Sequence, residues 1–338
     1  MSIENAAANP KRRVAGMPKF NQLINKFGIY SIIILFIVLG TILFQGKFLS
    51  PQNFLNIIDA LTILGIAAIG VAFVTYSGHY ADLSIPTTMA FAGIVAIEAL
   101  RFGIVLAVLA AISTGLVLGL VNAFAIGKLK ANPIIWTLAM AFVTKGLMRW
   151  IWLNKAIYPS EADPAAKIFL NLYRMNIYGR ISLPLVTVII LAILAQVLLT
   201  RTQFGKQLKV VGASYEVAKM TGINVTRLIG GAFLLSAFTA AIVGIFITSL
   251  GKMGAYYQGA GYDFDAVTAI VISGMTLSGG RGDIIGVLGG VFLVGLLKNI
   301  LTLLGVGTFS QGVIQGLMFI IVVGLHTHAL RKSGRDNE

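Results

Sequence analysis

The sequence predicts an all-α fold, a polytopic helical membrane protein of about 10 transmembrane helices. Three observations carry that prediction. Apolar runs close to the length that crosses a bilayer recur along the 338 residues. Only 11% of the residues are charged, less than half the share of about 25% in a soluble domain, and the mean hydropathy is +0.89. Lys and Arg concentrate in alternate connections between the runs, as in proteins that keep basic loops in the cytoplasm.

Residues 1–28 are polar and basic and precede the first apolar run. A secretory signal would show a short basic region, a short apolar core and a small-residue cleavage site, so this segment reads as a retained cytoplasmic tail. The expected spans are 29–44, 54–77, 85–100, 103–127, 133–153, 181–200, 228–250, 262–278, 284–304 and 309–328. They make one membrane domain over 29–328, because no polar segment is long enough to fold alone, and 329–338 form a cytoplasmic C-terminal tail. The third and eighth spans are short, which makes them candidates for broken or half-crossing helices. Interrupted backbone at membrane depth is tolerated only where protein or a water-filled cavity covers it.

With the N-terminus inside, 16 of the 26 basic residues fall on the cytoplasmic side. These are Lys11, Arg12, Arg13, Lys19, Lys26, Lys128, Lys130, Arg201, Lys206, Lys209, Lys219, Arg227, Arg281, Arg331, Lys332 and Arg335. The segment 154–180 fits this sorting least well, placing Lys155, Lys167, Arg174 and Arg180 outside. Residues 201–227 are an island between two apolar runs, with five cations against the single acid Glu216. Such an island is too polar to span and short enough to be a docking element.

Two turns echo each other at an offset of 201 residues: Thr75, Ser77, Gly78 and Asp82 recur as Thr276, Ser278, Gly279 and Asp283. A parallel repeat and a chance recurrence in glycine-rich sequence both account for this.

Several chemistries are disfavoured. The formal charge of +14 follows from basic cytoplasmic loops rather than from nucleic-acid binding. The absence of cysteine removes disulfides, thiolate metal sites and cysteine nucleophiles. LSGGR at 277–281 is like the signature of an ATP-binding cassette ATPase, but no Gly-Lys pair here is followed by the Ser or Thr of a phosphate loop. The stretch reads instead as a tight turn with Asp283 as helix N-cap. His79, His326 and His328 lack a carboxylate cluster in sequence, so no metal site is expected. Asn224-Val225-Thr226 lies on the cytoplasmic island and is not read as a glycosylation acceptor. Tyr30, Trp136, Trp150, Trp152 and Tyr158 sit near span ends, where interfacial anchors sit.

Ionisable and polar residues within the spans are better leads, since a charge there costs on the order of 2.5–3.5 kcal/mol and should pair or line a cavity. Asp59 and Lys298 lie at similar depth and are expected either to pair or to snorkel separately to the interface. Asp82, Ser84, Asn122 and Thr137 are candidate pathway groups.

The stretch GYDFDAVTAIVISGMTLSGGRGDIIGVLGGVFLVGLLKNILTLLGV is similar to the permease subunits of bacterial ATP-binding cassette sugar importers of the ribose and xylose type. Gly261, Tyr262, Asp265, Ser278, Gly279, Gly280, Arg281, Gly282 and Asn299 carry the likeness. The island resembles the same family through Thr202, Phe204, Gly205, Gly212, Glu216, Ala218, Gly222 and Ile223. Gly119, Asn122, Pro133, Thr137, Leu138 and Gly146 extend it upstream. The resemblance implies a coupling helix seated in a groove of a separate ATPase, with Gly212, Glu216, Ala218, Gly222 and Ile223 as the coupling residues. It implies no cofactor in this chain, with ATP and Mg on the partner ATPase, and no enzymatic activity of its own. An extracytoplasmic solute-binding protein, a second permease (the same or a sibling) and membrane lipid are the further partners, in a bacterial inner membrane. Asp82, Ser84, Asn122, Thr137, Ser278, Arg281 and Asn299, with Asp59 and Lys298, are the candidate pathway and gating residues. One departure is informative. The family's G-G-I-D-L-S-V-G stands here as SGHYADLSIPT, which leaves the class in place and opens the cargo to a polyol, a sugar-derived signal or a nucleoside. A secondary transporter or channel working without an ATPase is the alternative in class.

Overall fold

A computed structural model describes residues 19–160, 163–177, 181–307, 310–321 and 324, with side chains from Tyr30 onward. The helices are α1 (Lys19–Phe44), α2 (Pro51–Tyr76), α3 (Ile85–Ala99), α4 (Ile104–Asn122), α5 (Pro133–Ile151) and α6 (Pro164–Asn171). They continue as α7 (Leu183–Arg201), α8 (Gln203–Ala213), α9 (Tyr215–Met220), α10 (Val225–Gly251), α11 (Tyr262–Ile272), α12 (Ile284–Leu303) and the short apolar α13 (Ser310–Ile321). A two-stranded antiparallel hairpin, β1 (Asn176–Ile177) and β2 (Ile181–Ser182), precedes α7.

Local sequence sets the helix starts. Ser50, Asn132 and Asp163 each accept a backbone N–H of the first turn, and each is followed by proline. Proline's missing N–H costs nothing at that position. The first helix, expected to start at 29, is already formed at Lys19, the first of the described residues. No proline and no capping break interrupts residues 19–28, so the end of the expected tail is helical. Residues 1–18 and 325–338 lie outside the described residues, and with them most of the expected tails, His326 and His328.

Among the described residues, eight helices are long and apolar enough to span a membrane, and two of the ten expected spans are not among them. The two shortfalls have different causes. The expected span 262–278 is helical only to Ile272, because Gly274 takes φ +85° and Gly279, Gly280 and Gly282 also lie in the left-handed region. The chain continues from there as turns, with the Gly274 N–H on the Val271 carbonyl and the Gly279 N–H on the Thr276 carbonyl. The last expected span, 309–328, is helical over Ser310–Ile321, with most of its remainder outside the described residues.

α10 is the hub and packs against α2, α3 and α4. Of the spanning windows of α2 and α10, 78% and 67% of the residues are buried, against 11–22% for α1, α4, α5 and α7. The first pair therefore forms the interior and the second group the periphery. Close approach depends on Gly244, where a Cβ would stand 2.2 Å from the Met89 carbonyl oxygen. The main core joins Phe73, Phe233, Ile270 and Met275 across four parts of the chain.

The bundle has two distinct ends. At one, the island 201–227 sits beside the turns after α2 and α11, and the Thr226 hydroxyl donates to the Gly127 carbonyl at 3.0 Å. At the other, Ile157 and Gly254 exchange backbone bonds, the Tyr173 N–H meets Ser249 at 3.0 Å, and α6 buries Phe169. The described parts of 154–180 thus fold onto the end opposite the island.

Candidate functional site

The connection between α2 and α3 re-enters the bundle. Gly70 of α2 packs against Ser236 and Thr239 of α10, six residues above Tyr76 where α2 ends. Asp82 reaches Ser236 as well, so the chain climbs back roughly 9 Å along the helix it has just left. Gly78 at φ +82° and Tyr80 at φ +58° make the reversal. Tyr80 in a left-handed conformation is strained backbone, which is sustained only where the surroundings impose it. The Thr75 hydroxyl does so by donating to the Tyr80 carbonyl.

Asp82, only 2% exposed, is the centre of a buried polar network. One carboxylate oxygen accepts the Ser84 N–H at 3.0 Å and the Ser84 hydroxyl at 2.6 Å, and the other accepts the Ser236 hydroxyl at 2.9 Å. Ser84 in turn accepts from the Asn122 amide at 2.9 Å, and the Asn122 oxygen accepts the Trp136 indole N–H at 3.1 Å. Thr137 accepts the Leu83 N–H at 3.1 Å. The four sequence candidates Asp82, Ser84, Asn122 and Thr137 are therefore brought together, on the α2–α3 connection, α4 and α5. Burial pushes the Asp82 carboxyl above the usual carboxylate range, while the bonds from Ser84 and Ser236 pull it back. His79, in the same connection, is held below the usual histidine range by burial.

Two members were not singled out from sequence as site residues. Ser236 is one small hydroxyl in a long apolar helix, and such hydroxyls commonly bond their own helix backbone. Trp136 is not an interfacial anchor: its indole is part-buried and committed to Asn122.

At the opposite end, the expected Asp59–Lys298 pair does not form. Lys298 of α12 is hydrogen-bonded to Asp265 of α11, and its ammonium lies 5.7 Å from the Tyr262 ring centre. The reason is geometry around the helix axes: α11 and α12 pack side by side along one connection, so Asp265 reaches Lys298 first. Asp59 is half-buried beside Tyr173, whose hydroxyl approaches the Asp59 carbonyl at 3.4 Å. Asn299 makes a reciprocal amide pair with Asn53, at 2.7 and 3.0 Å, tying α12 to α2. None of these three residues touches the Asp82 network.

The island folds as two capped helices. The Thr202 hydroxyl accepts the Gly205 N–H and starts α8, Ser214 at φ −161° breaks the helix and caps α9, and Asn224 caps α10. α8 turns Leu208, Val211 and Gly212 inward, and α9 buries Ala218. Ile223 is half-buried, and its N–H reaches the Ala218 carbonyl. Tyr215, Glu216, Val217, Lys219, Met220 and Gly222 face outward, Met220 at 85% exposure. Gly222 lies beyond the α9 C-cap at φ +75° and not within the helix.

Gly212 makes a very close contact with two other parts of the chain. A Cβ there would stand 2.1 Å from the Tyr76 carbonyl oxygen and 2.5 Å from the Gly280 nitrogen. Gly280 donates to that same Tyr76 carbonyl at 2.9 Å, and a Cβ on Gly279 would stand 2.6 Å from the Gly78 nitrogen. The two echoing turns thus meet each other across the island. Ser278 and Arg281 flank this junction and are exposed, and Asp283 caps α12 by accepting the Gly286 N–H. No group of three or more His, Cys, Asp or Glu that could hold a metal occurs among the described residues.

The family model described as "Branched-chain amino acid transport system / permease component" matches residues 53–323. The ribose import permease of Bacillus subtilis strain 168 is 32% identical over 311 residues, 90% of this chain and 93% of the relative. The L-arabinose ABC transporter permease of Azospirillum brasilense is 31% identical over 322 residues, covering 94% and 91%. The L-arabinose transport system permease of Escherichia coli K12 is 29% identical over 316 residues, covering 91% and 94%. No solved structure matches significantly.

Proposed function

This chain belongs to the transport-system permease family whose model spans most of its length, as a multi-pass inner-membrane protein, and from that premise we propose that it carries a small sugar inward as the membrane subunit of an ATP-driven importer. The observation that carries this reading is the island: a short helix with an outward apolar face, joined through Gly212 to the turns after α2 and α11. The ribose and arabinose permeases named above support a monosaccharide as cargo.

The chain is N-in and C-in, with the island in the cytoplasm. Tyr215, Val217 and Met220 enter a groove of the ATPase, which holds the ATP and Mg; Glu216 and Gly222 shape that contact. Gly212, Ala218 and Ile223 pass its movement to the bundle. Two permeases, alike or paired with a sibling, form the pathway between them, and an extracytoplasmic binding protein delivers the sugar. The chain supplies two access states, and ATP at the partner biases their populations. The Asp82 network sits where the re-entrant connection, α4, α5 and α10 meet, and holds one of those states together.

Purification of the tagged chain from its native membrane tests the reading. A stoichiometric ATPase and sugar uptake that requires ATP are expected. Sugar flux into vesicles holding this chain alone would instead assign a secondary transporter or channel.

A further inference from the structure

At the island end, α8 and the α11–α12 turn enclose a cleft of about 650 Å³, lined among others by Tyr76, Lys209, Gly212, Thr276, Ser278 and Arg281. That volume suits a small-molecule ligand. Its two cations come from separate elements, Lys209 from α8 and Arg281 from the turn. Neither forms an ion pair among the described residues. Asp283, two residues after Arg281, is outside the lining and accepts the Gly286 N–H at 2.6 Å, though its charge is felt at Tyr76 in the cleft wall. Gly279, Gly280 and Gly282 all hold positive φ; the Gly279 and Gly280 N–H groups are already donated to the Thr276 and Tyr76 carbonyls, so an anion here would be held by the side chains of Lys209 and Arg281. The LSGGR stretch, without function as an ATPase signature, thus forms one wall of a basic, glycine-rich cleft.

We propose that this cleft binds the phosphate group of a phosphorylated small molecule, between Lys209 and Arg281, and that the bound molecule restrains the junction at Gly212. Lys209 supplies a point charge and Arg281 a planar fork suited to phosphate oxygens. Gly212 is itself part of the wall, so an occupant bridging α8 to the turn holds the two together. A sugar kinase, the class of reaction that consumes an imported sugar, would make such a ligand, which would then slow further import. This consequence rests on the importer reading; binding itself does not.

The first test uses the full chain in nanodiscs of phosphatidylcholine, titrated with glucose 6-phosphate and, separately, with glucose. Saturable binding of the phosphorylated sugar alone is expected, weakened roughly tenfold by Lys209→Gln or by Arg281→Gln. Lys206→Gln, on the same helix but outside the cleft, should bind as the parent does. No binding, or equal binding by all variants, would overturn the site. Loss of binding when phosphatidylglycerol is added would assign the cleft to lipid headgroups and overturn a soluble ligand. In the transporter assembled with its ATPase, glucose 6-phosphate should slow uptake by the parent and not by Lys209→Gln. Binding without slowed uptake would overturn the restraint while leaving the importer reading intact.

Discussion

Three donors converge on the Asp82 carboxylate from its own connection and from α10, so truncating it strands more than one buried group. Each stranded donor costs about 1–3 kcal/mol. Asp82→Ala should therefore lower stability by at least about 2 kcal/mol and Ser236→Ala by about 1 kcal/mol, read as unfolding midpoints in detergent. An equal effect of the two would show that the carboxylate is not the centre of the network. The ion pair at the other end makes a sharper case. Lys298→Ala leaves Asp265, 4% exposed, without its partner, at a cost of about 3 kcal/mol. Lys298→Leu combined with Asp265→Leu should recover most of that loss, and Asp59→Leu should cost far less than Lys298→Ala. Rescue of Lys298→Asp by Asp59→Lys would contradict the observed pairing.

Among the elements, the island gives the most direct test. Gly212→Ala puts a methyl against the Tyr76 carbonyl and the Gly280 nitrogen and forces α8 away from both turns. The expected outcome is normal membrane insertion and ATPase association, with uptake per ATP reduced severalfold. Gly222→Ala meets no atom and is penalised only by its positive φ, about 1–2 kcal/mol, so its effect on coupling should be milder. Gly222→Pro should be worse than Gly222→Ala because proline fixes φ near −65°. These contrasts also mark what the sequence could convey. Asp82, Ser84, Asn122 and Thr137 were legible as a set because polar groups in apolar runs must find one another. Asp59 and Lys298 could be read only as a choice between pairing and separate snorkelling, and Asp265 as the partner of Lys298 was missed, because sequence spacing reports height along a helix and not direction around it. Gly222 read as helical because a glycine's sign of φ is written in the backbone and not in its neighbours. The third and eighth spans both read as short: the third is a candidate span over Ile85–Phe102, whereas the eighth stops being helical at Ile272, and the closeness of Gly78, Gly212 and Gly279 needed the fold.

For the molecule as a whole, the interior is α2, α3 and α10, while α1, α4, α5 and α7 form the outer layer. The island meets both layers: α8 follows α7 directly and packs on it, and at Gly212 it touches the Tyr76 end of α2. α11 has a consequence of another kind. It is 11 residues long and carries Asp263 and Asp265 in its first turn. A segment that short and that acidic cannot partition into lipid alone, since about 20 apolar residues are needed. It must wait in the insertion machinery until α12 emerges and Lys298 can neutralise Asp265, so the two are released as a hairpin. Chains truncated after Asp283 and probed with a glycosylation tag should leave 262–283 unintegrated, whereas chains extended past Leu303 should integrate it. The order in which this protein is made is thereby tied to a single side-chain contact between helices synthesised in succession.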